Sequence, residues 1–120
     1  MRNRKEQIIR DAYDAFNSRD ADTLIGYVTE DVNWPDGTTS DPDKRLHGRD
    51  ALREYWQKQW DVTVTRDTPT EVTELPDGRV MVRLDQVVRD LKGEEVSKGS
   101  FEYFFEMRGD LISRLDITYL

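Results

Sequence analysis

The chain has 120 residues, 36% hydrophobic and 36% charged, which is enough for one domain spanning residues 1–120 and too short for two. Eighteen basic against 25 acidic residues give a formal net charge of −7, which repels phosphate backbones and anionic lipid and so excludes nucleic acid and membranes as expected partners. The absence of cysteine and the single histidine, His47, rule out disulfides, thiolate catalysis and a multi-histidine metal site within one chain, leaving carboxylates and hydroxyls to carry any chemistry.

At the N-terminus, Met1 to Gln7 are followed by only two apolar residues, Ile8 and Ile9, far short of a signal-peptide core, so a cytoplasmic location is expected. Ile9, Ala12, Tyr13 and Phe16 recur at helical spacing and predict an amphipathic helix over residues 4–18. Asp20 caps a second, short helix expected to reach about Val28. From Thr29 to Leu46 turn-forming residues dominate: Val32 to Trp34 reads as a short strand and Pro35 to Lys44 as a mobile loop. Leu52, Tyr55, Trp56 and Gln59 share one face of a third helix, about Arg49 to Trp60. Beyond Asp61 the period changes to two, with turns at Pro76-Asp77-Gly78, Lys92-Gly93 and Arg108-Gly109-Asp110, which implies four long strands joined by hairpins. Helices first and a meander second define an α+β fold, a cone-shaped curved antiparallel β-sheet packed on three N-terminal helices. The interior of such a cone suits a small apolar molecule met by a few polar groups.

Several polar residues stand out in this frame. Gln86 interrupts an apolar face of Val80, Val82, Leu84 and Val88, and a buried amide there needs hydrogen-bond partners. Asp36 precedes Gly37 and suits either an Asx-type turn or a general base whose pKa the nearby Trp34 would raise. Strand alternation sets Glu102, Phe104 and Glu106 on one face and Phe101, Tyr103 and Phe105 on the other, and leaves open which face turns inward. Asp116 falls on the same face as Arg114 and reads as a solvated ion pair or a cavity carboxylate. His47 suits capping or packing of the third helix, while Tyr13, Tyr55, Trp56 and Trp60 suit core and cavity wall.

The opening helix, Asp31-Val32-Asn33-Trp34, the run His47-Gly48-Arg49-Asp50-Ala51-Leu52-Arg53-Glu54-Tyr55-Trp56 and the late Gly109-Asp110-Leu111-Ile112 occur in an order that resembles the nuclear transport factor 2-like superfamily. Within it the chain is similar to SnoaL-like and ketosteroid isomerase-related small proteins over nearly its whole length. The superfamily holds isomerases, cyclases, epoxide hydrolases, dehydratases and non-catalytic members, so the fold alone does not fix the function. Ketosteroid isomerase uses an Asp base with a Tyr and a neutral Asp as oxyanion donors. The resemblance implies Asp36 at the base position and Glu102 at the neutral-acid position, and puts Ala12, not Tyr13, where the oxyanion Tyr belongs.

The resulting expectation is acid–base chemistry on a small apolar, carbonyl-containing molecule, with no cofactor and no metal. Asp36, Glu102 and Asp116 are the candidate catalytic residues, and Tyr13, Trp34, Trp56, Gln86 and Phe104 the candidate substrate contacts. A non-catalytic ligand-binding or structural dimer module is the competing expectation, motivated by Ala12. The convex sheet face is expected to carry an apolar surface, Met81 and Val87 or Phe101, Tyr103 and Phe105; if Glu102 points inward, the latter three form an outer aromatic stripe, which implies a homodimer through that face with Arg83 and Arg89 pairing with acids across its rim.

Overall fold

Asn3 opens α1 (Arg4–Asn17) by accepting hydrogen bonds from the backbone N–H groups of Lys5, at 2.8 Å, and Glu6, at 3.3 Å. These are donors that the first helical turn leaves without partners of its own. The Asp20 carboxylate does the same for the Thr23 N–H and starts α2 (Ala21–Ile25). This helix ends sooner than its sequence suggests, because Val28 is drawn into a strand and buried completely. Gly48 adopts a φ of +91°, which glycine takes without a Cβ penalty, and its N–H reaches the Val32 carbonyl at 2.8 Å as α3 (Arg49–Val62) begins. His47, expected to cap α3, instead lies exposed in a short strand opposite Asn33.

The computed structural model describes residues 3–39, 41 and 43–119, and of Tyr119 only the backbone. Among these residues six strands form one curled, unclosed sheet: β1 (Val28–Pro35), β2 (Arg45–His47), β3 (Thr63–Glu74), β4 (Val80–Asp90), β5 (Glu95–Arg108) and β6 (Leu111–Tyr119). Their order is β2-β1-β6-β5-β4-β3. β3 to β6 are the four long hairpin strands expected. The sheet is mixed, however, since β1 runs parallel to β6. Most of the chain separates these two strands, so no tight turn forces them to run in opposite directions. β1 itself extends well beyond the short strand foreseen at Val32 to Trp34, and β2 occupies the end of the expected loop region.

One-residue bulges at Thr70 in β3 and Val96 in β5 set which side chains of those strands face inward. Thr73 pairs with Met81 and Glu71 with Arg83, but beyond Thr70 the register slips and Pro69 meets Leu84 and Asp67 meets Gln86. Near Val96 the β4–β5 ladder slips likewise, from Arg89 opposite Glu95 to Val88 opposite Ser97, and onward to Leu84 opposite Phe101. An extra residue in one strand reverses the facing of everything beyond it. The helices cover the concave face, where Ile9, Leu24, Leu52, Trp56 and Trp60 meet Val80, Val82, Leu84, Phe105, Ile112 and Leu115. Each of these side chains contributes about 1.5–3 kcal/mol of burial energy.

Candidate functional site

Between the helices and the concave sheet lies a cavity of about 860 Å³, within the range that accommodates drug-sized ligands. Nine of the twelve aromatic residues of the chain line it, from Tyr13 and Phe16 on α1 to Phe101, Tyr103 and Phe105 on β5. Trp34 meets Trp56 edge to face at 5.8 Å between ring centroids, and Trp56 stacks on Trp60 at 6.4 Å. Tyr13 stands edge-on to Phe105 at 6.1 Å. Such rings present a rigid apolar wall with few rotatable bonds.

One deeply buried carboxylate interrupts that wall. Asp67 on β3 is only 3% exposed, and its Oδ1 accepts a hydrogen bond from the Gln86 amide at 2.9 Å. No cation pairs with it among the described residues. Burial pushes its pKa up to about 6, with the Gln86 hydrogen bond working in the opposite direction. Close by, the Tyr13 hydroxyl is buried with no hydrogen-bond partner among the described residues. Burial raises the Tyr13 phenol well above its ordinary range, and the neighbouring Tyr103 and Asp67 add to the effect. A buried hydroxyl without a partner loses its hydration for nothing, so this donor is available to an acceptor placed in the cavity. Asp67, Gln86 and Tyr13 thus form a polar corner, with Tyr103 beside it, in an otherwise aromatic chamber.

The structure brings Tyr13, Trp34, Trp56 and Gln86 together around this cavity. Asp36 sits at its mouth in the Asx-turn arrangement: its Oδ1 accepts from the Thr38 N–H at 2.9 Å and from the Thr38 hydroxyl at 2.5 Å, and these bonds hold its pKa down. Glu102 faces the opposite way. It lies on the outer face of β5 and accepts from Arg83 at 2.9 Å, because the bulge at Val96 turns Phe101, Tyr103 and Phe105 inward. Phe104 follows Glu102 outward, with the Arg79 guanidinium 5.2 Å from its ring centroid. Asp116 takes the same outer face opposite Phe104, bound by Arg114 at 2.9 and 3.1 Å and approached by Arg45 at 3.5 Å. Its pKa is lowered chiefly by the Arg114 hydrogen bonds, and with Arg45 and Arg114 it also borders the cavity. The aromatic stripe that argued for a dimer therefore faces the cavity, and the outer face beside Met81 and Val87 carries Arg83, Asp85, Glu102 and Arg89 instead. Among the described residues no three His, Asp or Glu side chains gather closely enough to hold a metal ion, and no helix is long and apolar enough to cross a membrane.

Asp67 escapes the sequence reading because alternation counted back from the Pro76-Asp77-Gly78 turn assigns Thr68, not Asp67, to the place opposite Gln86. Gln86 was the one available signal, since a buried amide on an apolar face requires a polar neighbour.

The curled sheet packed on three helices is the fold of solved structures described as an NTF2-like protein and a cystatin-fold protein, with TM-scores of 0.81 and 0.77. The SnoaL-like domain model matches residues 9–115, and the chain belongs to that family. Among solved structures, a candidate polyketide cyclase of Xanthomonas campestris pv. campestris is similar with a TM-score of 0.81 and 23% identity, covering 98% of this chain and 90% of the other. TerC, co-crystallized with polyporic acid, has a TM-score of 0.80 and 23% identity, covering 98% and 92%. SalBIII, an epoxide hydrolase/cyclase-like enzyme of pyran ring formation in salinomycin, has a TM-score of 0.80 and 21% identity, covering 97% and 90%. None of the curated proteins matches the chain significantly.

Proposed function

We propose that the protein is a cyclase- or isomerase-type enzyme that performs acid–base chemistry on a small, largely apolar, carbonyl-containing molecule held in the aromatic chamber. The observation that carries this reading is the pairing of an uncompensated buried carboxylate, Asp67, with an unpartnered buried hydroxyl, Tyr13, on one cavity wall. A carboxyl group whose pKa lies at about 6 is mostly ionised at neutral pH yet basic enough to accept a proton from carbon. In the proposed step the Asp67 carboxylate removes a proton next to the carbonyl, the C–H electron pair forms a C=C bond, and the C=O π pair moves onto the carbonyl oxygen. The Tyr13 hydroxyl donates to that enolate oxygen. Asp67 then returns the proton at another carbon, or the enolate carbon attacks a second carbonyl carbon of the same molecule and closes a ring, the π pair of that carbonyl moving onto its oxygen, which takes the proton back from Asp67. Gln86 keeps the carboxyl turned toward the chamber. The polyketide cyclase and cyclase-like neighbours lend this reading support at the level of fold.

The test is deuterium exchange at the α-carbon of planar ketones such as 2-tetralone in D₂O, followed by NMR, with wild type, Asp67→Asn and Tyr13→Phe. Acceleration by wild type that falls by about 100-fold or more in Asp67→Asn supports the assignment. Equal exchange in wild type and Asp67→Asn would remove Asp67 from the mechanism. Quenching of tryptophan fluorescence by the ketones with no exchange above buffer would make the protein a ligand carrier instead, since a carrier needs the aromatic walls around Trp34 and Trp56 but no titrating acid.

A further inference from the structure

β3 is an edge strand of the sheet, with β4 on one side and no strand on the other. In an antiparallel ladder, alternate residues turn their N–H and C=O away from the neighbouring strand, and directly opposite residues of that kind stand closest together. Asp67 is such a residue. Both of its main-chain groups point to the open edge, where the side chain of Asn17, the last residue of α1, meets them: Asn17 Nδ2 donates to the Asp67 carbonyl at 2.8 Å, and the Asp67 N–H donates to Asn17 Oδ1 at 2.9 Å. One side-chain amide thus makes the pair of bonds that a residue of a further strand would make. The same non-bonded pairing with β4 brings the Gln86 side chain within 2.9 Å of the Asp67 carboxyl. It follows the Thr70 bulge, which Pro69 adjoins with no N–H of its own to give.

We infer that Asn17 is a positioning residue: it fixes the backbone of Asp67 after the bulge, and so holds the carboxyl on the cavity wall against Gln86 and beside Tyr13. The inference rests on the reading of Asp67 given above, and it adds a residue outside the cavity lining to the site. A bulged edge strand without this contact is free to relax toward the straight register, which would put Thr68 opposite Gln86 and Asp67 in water. The titratable group that interacts with Asp67 from the packed elements is Tyr13 on α1, which interacts in turn with Tyr103 on β5, and β4 offers Gln86; on α3 the cavity-lining residues Gln59 and Trp60 are not titratable carboxylates or bases.

The experiment follows the Asp67 side-chain carboxyl by ¹³C NMR through a pH titration, in wild type, Asn17→Ala and Lys5→Ala. Lys5 supplies a control tie between α1 and the same hairpin, donating to the Gly78 carbonyl at 3.1 Å far from Asp67. Asn17→Ala is expected to lower the Asp67 midpoint by about one unit or more as water reaches the carboxyl, and to speed exchange of the Asp67 amide about 10-fold or more relative to Leu84. Lys5→Ala is expected to leave both unchanged. An unmoved midpoint in folded Asn17→Ala, or an equal shift in Lys5→Ala, would overturn the inference. If Asn17→Ala does not fold, Asn17→Gln keeps the amide one methylene out of place and is read in the same way: a lowered midpoint supports the inference and an unmoved one overturns it. The titration requires no substrate, so a failed positioning role and a failed catalytic reading remain distinct: the first shows in the midpoint, the second in ketone exchange by Asp67→Asn.

Discussion

Replacing Asp67 by Asn should make the folded protein more stable above pH 6 and not below pH 4. In the unfolded chain this carboxyl titrates near 3.8, and in the folded protein near 6, so between those values the folded state binds the extra proton. Stability contributed by this group therefore falls as pH rises through that window and is constant on either side. A rise of about two units corresponds to about 3 kcal/mol, and with the side chain almost fully buried little of it is lost to solvent screening. Asn keeps the acceptor for the Gln86 amide but brings an NH₂ group whose donors find little to bond, at a cost of about 1–2 kcal/mol. The expected net effect is a gain of about 1–2 kcal/mol at pH 8, or roughly 3–6 °C in Tm, and a loss of about 1–2 kcal/mol below pH 4. Urea denaturation of both proteins from pH 3.5 to 8 measures it. The exposed carboxylates whose pKa values are lowered, such as Asp31, Asp77 and Asp110, have the same effect in both chains and cancel in the difference. A difference in stability that stays flat across pH 4 to 6 would refute the account of Asp67 as a buried, uncompensated acid.

Tyr13→Phe removes a hydroxyl with no hydrogen-bond partner among the described residues, so stability should stay within about 0.5 kcal/mol of wild type by thermal denaturation, while ketone exchange falls about 10-fold or more. Trp56→Ala, at a side chain packed between Trp34 and Trp60, should cost about 3–5 kcal/mol in urea titrations. Glu102→Gln breaks an outer-face ion pair with Arg83 and should cost less than about 1 kcal/mol, with ketone exchange unchanged; a large loss of exchange would return Glu102 to the site.

The elements of this fold are legible because their signals are local. Asp20 caps a helix within three residues of itself, and the apolar spacing of Ile9, Ala12, Tyr13 and Phe16 persists through α1. The candidate site is legible only in part, because facing in a strand depends on an odd or even count. A straight ladder from the Asp90 to Glu94 turn would set Glu102 opposite Val82 and inside the cone; the extra residue at Val96 puts Tyr103 there and sends Glu102 to the outer face. The extra residue at Thr70 does the reverse for Asp67 and brings it in. Alternation shows which residues share a face, and that much holds for Glu102 with Phe104 and for Phe101 with Tyr103. It carries no information on bulges, which are set by packing between strands. The parallel neighbour of β1 is hidden for a related reason, since Ile112 lies opposite Val28 with most of the chain between them.

The contact between α1 and β3 also bears on how the protein avoids joining itself. A 12-residue strand with an open side offers a template on which another chain could add, and such additions lead to fibres. Along this strand Asn17 occupies both main-chain groups of Asp67, Pro69 has no N–H to offer, and the Glu6 carboxylate accepts the Glu74 N–H at 2.9 Å. An incoming strand would find the ladder blocked near its middle, at Asp67, and at its end, at Glu74, and broken by the bulge between them. Substitutions at Asn17 or Glu6 should accordingly appear first as loss of solubility on storage, before any loss of fold.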